Sequence, residues 1–245
     1  AGLAAVYMTG FGTAASRGFP DMGLLTMTEM VAGVRAIADS TSLPAICDAD
    51  TGYGNPLNVQ RTVREYERAG AAALHLEDQV WPKRCGFFEG KEVIPLEEHV
   101  QKIRSACDAR EDPDLVVIAR SDALQTDGWD AVEERARAYR DAGADLIFVD
   151  GLKAEADVDT YCERLRGLPL AYNGVFGVPD DLAARGIQLV LNGAPFAATV
   201  GAVSEAMQKL AAGQAASRPE DGKALATLLE GLGVADLFEL AGRYK

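Results

Sequence analysis

Seven short apolar runs alternate with stretches of helical periodicity, and this constrains the chain more than any other feature. The runs are residues 3–9, 43–48, 72–76, 115–119, 146–149, 169–172 and 187–191. Each is rich in Val, Ile, Leu and Ala on both faces, as strands must be when helices cover both sides of a parallel sheet. Amphipathic segments lie between them, such as 58–68, 96–108, 129–141 and 154–166. Repeated βα units of this kind predict a parallel α/β fold. Seven such units in 245 residues favour a (β/α)8 TIM-type barrel over a doubly wound sheet.

A weak internal repeat agrees. Arg68-Ala69-Gly70-Ala71, Asp141-Ala142-Gly143-Ala144 and Ala183-Ala184-Arg185-Gly186 each precede a predicted strand. The glycine in each would supply the left-handed residue that ends a helix. The chain opens Ala1-Gly2-Leu3-Ala4-Ala5, which reads as the end of a helix feeding a strand. The first βα unit, the barrel's eighth, is therefore expected to be missing from this chain. The tail, 204–214 and 223–244, is helical in pattern with no further strand. It predicts extra C-terminal helices on a single domain, 1–245.

A net charge of −13 argues against a nucleic-acid partner and against docking to anionic lipid. No apolar run reaches the roughly 18 residues that span a membrane. The four cysteines, Cys47, Cys85, Cys107 and Cys162, are widely spaced and include no CxxC pair, which argues against a zinc site. A chain this long needs no disulfide framework, so they read as reduced thiols of a cytoplasmic protein.

In a barrel of this class the active site lies at the C-terminal ends of the strands. Asp48, Asp50, His75, Glu77, Arg120, Asp122, Asp150 and Asn173 all fall there. Any one alone reads equally well as a strand-end group capping the next helix. The set, drawn from independent strands, does not. Asp48 and Asp50 are two apart and would share one face of a regular strand. Paired carboxylates repel and favour a bound cation, and oxygen ligands suit Mg²⁺. His75 offers a donor and an acceptor to a substrate oxygen. His99, within a helical pattern, reads as a surface residue. Arg120 ends its strand as a carboxylate fork, or as an ion-pair partner of Asp122. Cys85, flanked by Lys83 and Arg84, has the electropositive setting that favours thiolate and proton-transfer chemistry. The other three cysteines read as packing.

Taken together, Asp48-Ala49-Asp50-Thr51-Gly52-Tyr53-Gly54-Asn55, Glu77-Asp78-Gln79 and Pro82-Lys83-Arg84-Cys85-Gly86 form a specific signature. Ile118-Ala119-Arg120-Ser121-Asp122-Ala123 agrees with it. By these motifs the chain resembles the isocitrate lyase/phosphoenolpyruvate mutase superfamily, and within it the 2-methylisocitrate lyase-like branch. The resemblance is strong from Tyr7 to about Asp150 and weaker beyond. It implies a Mg²⁺-dependent enzyme, with Mn²⁺ as a substitute, acting on small 2-oxo or 2-hydroxy acids through an enolate-like intermediate. It implies that Asp48, Asp50 and Glu77 form the metal shell. Thr9, Gly10 and Phe11 would bind the 2-oxoacid carboxylate from a turn, and Asp21 would lie near the metal. Tyr7 would act as base on the substrate hydroxyl, and His75 and Arg120 would hold oxygens. Cys85 would protonate the departing carbanion from a loop that includes Lys83, Arg84 and Gly86. Asp150 and Asn173 would sit on the distal side. The resemblance also implies a homotetramer with an exchanged terminal helix.

The chain departs from that branch at Phe87, where a His is usual, at Asp150 for Glu, at Val175 for Thr and at Ala198 for Arg. All four departures fall on the side expected to grip the substrate's distal end. The resulting expectation is a carbon–carbon lyase yielding a 2-oxoacid. The alternatives are an oxaloacetate hydrolase, a phosphonopyruvate or carboxyphosphonoenolpyruvate mutase-type enzyme, or a non-catalytic oxyacid-binding homologue.

Overall fold

A computed structural model of the protein describes residues 2–86, 88–174, 176–177, 181–214 and 223–244. Phe87 and Val175 lie outside the described residues. In chain order the elements are β1 (Val6–Met8), α1 (Gly10–Ser16), α2 (Met27–Ser40), β2 (Ala45–Asp48), α3 (Pro56–Arg68) and β3 (Ala71–Glu77). They continue with α4 (Leu96–Ala109), β4 (Val116–Ser121), α5 (Gly128–Asp141), β5 (Leu146–Val149), α6 (Glu155–Arg164), β6 (Leu170–Asn173) and β7 (Ile187–Leu191). Three helices follow: α7 (Ala194–Ala211), α8 (Lys223–Gly231) and α9 (Val234–Gly242).

Every predicted apolar run overlaps a strand, with ends shifted by one or two residues for several of them. The seven strands pair in parallel, in the order β1 to β7. The sheet is curled and carries helices, the arrangement of a TIM-type barrel; among the described residues it has seven strands. Two compact units are distinguished, Ala1–Gly193 with the whole sheet and Ala194–Lys245 with α7, α8 and α9.

Local chemistry explains the boundaries. Asn55 accepts from the amides of Leu57 and Asn58 to start α3, with Pro56 at the first helical position. Gly70 and Gly143 follow α3 and α5 with φ of 99° and 110°, the left-handed stop predicted for them. Gly186 is also left-handed, at 91°, but closes a turn rather than an α-helix. The helix α2 begins with a full capping box, Thr26 with Glu29.

Side-chain alternation divides each strand between two environments. Leu74 and Leu76 of β3 join the large core between sheet and helices. Ala73 joins a second, smaller cluster with Ile46, Ile118, Leu146, Phe148, Ala171 and Leu191. Two and four residues after Ala73, on the same face, come His75 and Glu77. Asp48 follows Ile46, and Arg120 follows Ile118, by the same step of two. The inward face is thus apolar along its length and turns polar at the C-terminal ends of the strands.

Candidate active site

Strand register brings the polar groups together. Asp48 on β2 stands opposite His75 on β3, and Glu77 on β3 stands opposite Arg120 on β4. All four are buried. Asp50 reaches the same region by a different route from the predicted strand alternation. It lies beyond the end of β2 with φ of 48°, and its amide donates to Asp48 Oδ1 at 3.0 Å. Tyr53, Gly52 and Gly54 also have positive φ, so a strained turn rather than a strand aims Asp50 inward.

The predicted substrate turn Thr9-Gly10-Phe11 is instead the start of α1, with Thr9 at the N-cap. The Gly10 amide donates to Asp48 Oδ2 at 2.9 Å. A Cβ on Gly10 would stand 2.7 Å from that oxygen, so only glycine permits the approach. Burial opposes ionisation of Asp48, but His75, Lys83 and Arg120 outweigh it and hold the carboxyl below the usual carboxylate range. Asp50 and Glu77 are different: burial pushes both above that range despite nearby Lys83.

Lys83 explains the contrast. Its ammonium lies 2.5 Å from Asp21 Oδ1 and 2.7 Å from Asp50 Oδ1. Burial would lower its pKa, but Asp48, Glu77, Asp50 and Asp21 outweigh that and keep it charged. One monovalent charge serves several carboxylates. Asp50 Oδ1 has the Lys83 ammonium as its partner, while both oxygens of Glu77 are buried without a hydrogen bond, although Arg120 Nη1 comes within 3.3 Å of Glu77 Oε2. Among the described residues, no three His, Cys, Asp or Glu side chains converge as a ready metal shell. The chemistry nevertheless fits a hard divalent ion: several buried carboxylates, Glu77 among them without a hydrogen bond, and too little positive charge between them.

Tyr7 and His75 form the neutral part of the site. The Tyr7 hydroxyl and His75 Nε2 are 2.9 Å apart, and His75 Nδ1 lies 3.7 Å from Asp48 Oδ1. Burial raises Tyr7 well above its ordinary value and lowers His75. Phe148 packs edge-on to His75 and lies under the Arg120 guanidinium.

Arg120 is more heavily engaged than a free fork. It grips Asp122 through Nε and Nη2, each at 2.9 Å, and Nη2 is 3.4 Å from Asp150. Lys91 bridges the same two carboxylates at 2.8 Å each. Arg120, Asp122, Lys91 and Asp150 therefore form a closed ring of alternating charge. Only Arg120 Nη1 is left facing Glu77. Asn173 ends β6, half-buried and opposite Leu191.

The segment carrying Cys85 lies across the rim. The Cys85 amide donates to the Asp21 carbonyl at 3.0 Å. A Cβ on Gly86 would collide with the Asp150 carboxylate. Cys85 is buried, and its basic neighbours point elsewhere: Lys83 into the carboxylates and Arg84 onto the Glu89 carbonyl. The electropositive setting expected from their sequence adjacency is thus largely committed to other groups.

Sequence reasoning missed three supports. Lys91 carries no motif signal beyond a lysine after Gly90. Gln79 clamps the Arg84 backbone from both sides, at 2.9 Å to its carbonyl and 2.9 Å from its amide. Asp78, fully buried, accepts from Ser121, the Asp122 amide, Arg135 and Tyr139. That network fixes the turn carrying Asp122. His99, expected at the surface, is also fully buried, because α4 turns that position onto Tyr139. No disulfide joins the four cysteines. No helix among the described residues is long and apolar enough to cross a membrane.

Comparison with known proteins matches residues 1–211 to the phosphoenolpyruvate phosphomutase family model. The chain is 52% identical over 171 residues to 2,3-dimethylmalate lyase of Eubacterium barkeri, covering 69% of this chain and 59% of that protein. It is 48% identical over 198 residues to 2-methylisocitrate lyase of Escherichia coli, covering 78% and 67%. Among solved structures, 2,3-dimethylmalate lyase superposes with a TM-score of 0.88 at 37% identity, over 99% of this chain and 84% of that one. Oxaloacetate acetylhydrolase bound to 3,3-difluorooxalacetate gives 0.90 at 35% identity, over 99% and 86%. Phosphonopyruvate hydrolase bound to oxalate and Mg²⁺ gives 0.86 at 32%, over 99% and 87%.

Proposed function

Because the chain belongs to the PEP mutase/isocitrate lyase superfamily, we propose that it is a metal-dependent carbon–carbon lyase. Its substrate would be a small 2-hydroxy di- or tricarboxylate, cleaved to a 2-oxoacid through an enolate-like intermediate. The observation that carries this reading is the Tyr7–His75 hydrogen bond of 2.9 Å, set among carboxylates and an arginine under the Cys85 segment.

Retro-aldol cleavage needs a base on the hydroxyl that becomes the carbonyl. Tyr7 and His75 are both held neutral by burial. Tyr7 can therefore accept the substrate proton only by passing its own to His75 Nε2. Asp48, on the Nδ1 side of the ring, stabilises the resulting imidazolium. The bonding pair of the broken C–C bond goes to the departing carbanion, and the Cys85 thiol supplies the proton that quenches it. Arg120 Nη1, outside the bidentate grip of Asp122, is the donor available to a substrate oxygen. Asp48, Asp50 and Glu77 would hold Mg²⁺ or Mn²⁺, which supplies polarisation of the developing carbonyl and charge for the oxyacid.

The test is a release assay for pyruvate and glyoxylate over a panel of 2-hydroxy and 2-oxo diacids, with Mg²⁺ and with EDTA. Metal-dependent release from a hydroxy acid is the expected result. Cys85→Ser should abolish turnover and leave metal binding intact; full activity in that variant would refute its role as the acid. A second reading, oxaloacetate hydrolysis, is favoured by the match to oxaloacetate acetylhydrolase. Oxalate and acetate from oxaloacetate, with no release from hydroxy acids, would establish it instead.

A further inference from the structure

Every carbonyl from Asp48 to Gly52 has a donor. Tyr66 on α3 donates its hydroxyl to Asp48 at 2.9 Å, and the Gly52 amide donates to Ala49 at 2.9 Å. The Glu77 amide donates to Asp50 at 2.9 Å. The Lys102 ammonium, on α4, donates to Thr51 at 3.2 Å. The Thr62 hydroxyl on α3, shared with the Asn58 carbonyl, reaches Gly52 at 3.2 Å. This turn needs such holding. Asp50 and Tyr53, neither of them glycine, have φ of 48° and 60°, conformations that persist only where the surroundings over-determine them.

Four of the five donors are neutral groups. Lys102 is the exception. It is 4% exposed, and among the described residues its ammonium forms no ion pair, only the bond to the Thr51 carbonyl. Burial pushes its pKa down, and Glu98, one turn earlier on α4, opposes that. Burying an ammonium opposite a lone neutral acceptor costs stability. A methionine, unbranched and flexible, would fill the same space without that cost. Packing therefore gives no reason for a lysine here. The bond to Thr51 does, because that peptide directly follows Asp50.

We propose that Lys102 is a positioning residue: from α4 it fixes the Thr51 peptide, and through it the angle at which Asp50 enters the site. The inference rests on the proposed function giving Asp50 a role there; Lys102 itself is not among the groups of the site. Ser105 supplies a control. It is buried on the same helix and donates to the Pro56 carbonyl at 2.6 Å, past the end of the turn.

Amide hydrogen exchange and turnover test this on the whole chain. Lys102→Met should speed exchange of the Asp50 and Gly52 amides by at least about tenfold, while amides in the middle of α3 and β3 are unchanged. Turnover in the release assay over the diacid panel should fall by at least about tenfold, as a misaimed carboxylate requires. The unfolding midpoint should hold or rise, because losing the donor to Thr51 is offset by removing the buried ammonium. Lys102→Arg, which keeps a charged donor, should recover most of both losses. Ser105→Ala should leave exchange at Asp50 and Gly52 and turnover at the wild-type level. Unchanged exchange at those amides in Lys102→Met would overturn the proposal, as would faster exchange with wild-type turnover. A methionine variant that is destabilised or does not fold would overturn it too, since the lysine would then be structural. So would a Lys102→Arg variant no better than Lys102→Met, or the same acceleration in Ser105→Ala. Faster exchange in Lys102→Met, when the wild type turns over no acid of the panel, would sustain the hold on the turn and remove the proposed function instead.

Discussion

Acid should destabilise this protein through His99 well above the pH at which most carboxylates titrate. His99 has no exposed surface and packs edge-on to Tyr139, with ring centroids 4.6 Å apart. Neither ring nitrogen makes a well-formed hydrogen bond; the Leu76 backbone offers a weak one that only partly opposes the burial. Burial lowers its pKa to about 3, and Lys102 and Arg135 push in the same direction. In the unfolded chain a histidine titrates near about 6.5. The folded value lies below the unfolded one, so the stability this group contributes is complete above the unfolded value. It is lost as pH falls toward the folded value, because the unfolded chain takes up the proton first. Over the roughly 1.5 units between 6.5 and pH 5, at about 1.4 kcal/mol per unit, the loss reaches about 2 kcal/mol.

The assay is urea unfolding at pH 8 and pH 5 for the wild type and His99→Leu. Leucine fills a similar volume and does not titrate. Any fixed packing change affects both pH values equally and cancels in the difference between them. His75 and the carboxylates titrate in both proteins and cancel too. The wild type should lose about 2 kcal/mol more than the variant between the two pH values. Equal losses would refute the reasoning and mean that the buried ring is solvated or paired.

Arg135→Met should destabilise by about 3–5 kcal/mol, because it strips the buried Asp78 of its cation. Tyr139→Phe, which removes one neutral donor to the same carboxylate, should cost about 1–3 kcal/mol. Thermal or urea unfolding ranks the two, and a larger loss for the tyrosine variant would contradict the charge argument. Gly86→Ala places a methyl against the Asp150 carboxylate and should displace the Cys85 segment. Turnover should fall by about a hundredfold, as small misplacements of catalytic groups do, with the unfolding midpoint unchanged; undiminished turnover would show that this contact does not position Cys85.

The sheet was legible because a parallel strand buried on both faces has to be apolar throughout, and the runs around Ile46, Leu74, Ile118 and Ile147 are. The left-handed stops at Gly70 and Gly143 were legible for a similar reason, since backbone geometry there demands glycine. The start of α1 was read as a turn because Gly10-Phe11-Gly12 has poor helix propensity, while tertiary contact with Asp48 fixes its first residue. The Thr26–Glu29 capping box of α2 was a readable signal that went unused. The rim acids and Arg120 were found from strand ends alone. Partners that arrive from distant loops, such as Lys91 on Asp122 or Gln79 on Arg84, leave no mark in local periodicity. His99 was misplaced because one polar residue in an amphipathic helix is ordinarily exposed, and only the packing of α4 on Tyr139 overrides that.

The rim separates into two electrostatic halves for a physical reason. On one side, Arg120 and Lys91 alternate with Asp122 and Asp150, so each carboxylate has two cations within 3.4 Å. That half has no unmet charge, and it holds Arg120 with one nitrogen free of Asp122 and facing Glu77. On the other side, several carboxylates crowd one ammonium. Asp48 stays ionised there because two backbone amides and the surrounding cations offset its burial. Asp50 and Glu77 lack such support, and burial drives them toward the protonated form. A divalent ion bound as proposed would relieve the second half and would find nothing to relieve in the first. Under the proposed function, this asymmetry would favour a metal at Asp48, Asp50 and Glu77 over the equally acidic-looking pair of Asp122 and Asp150, a choice set by where the two lysines and Arg120 fall.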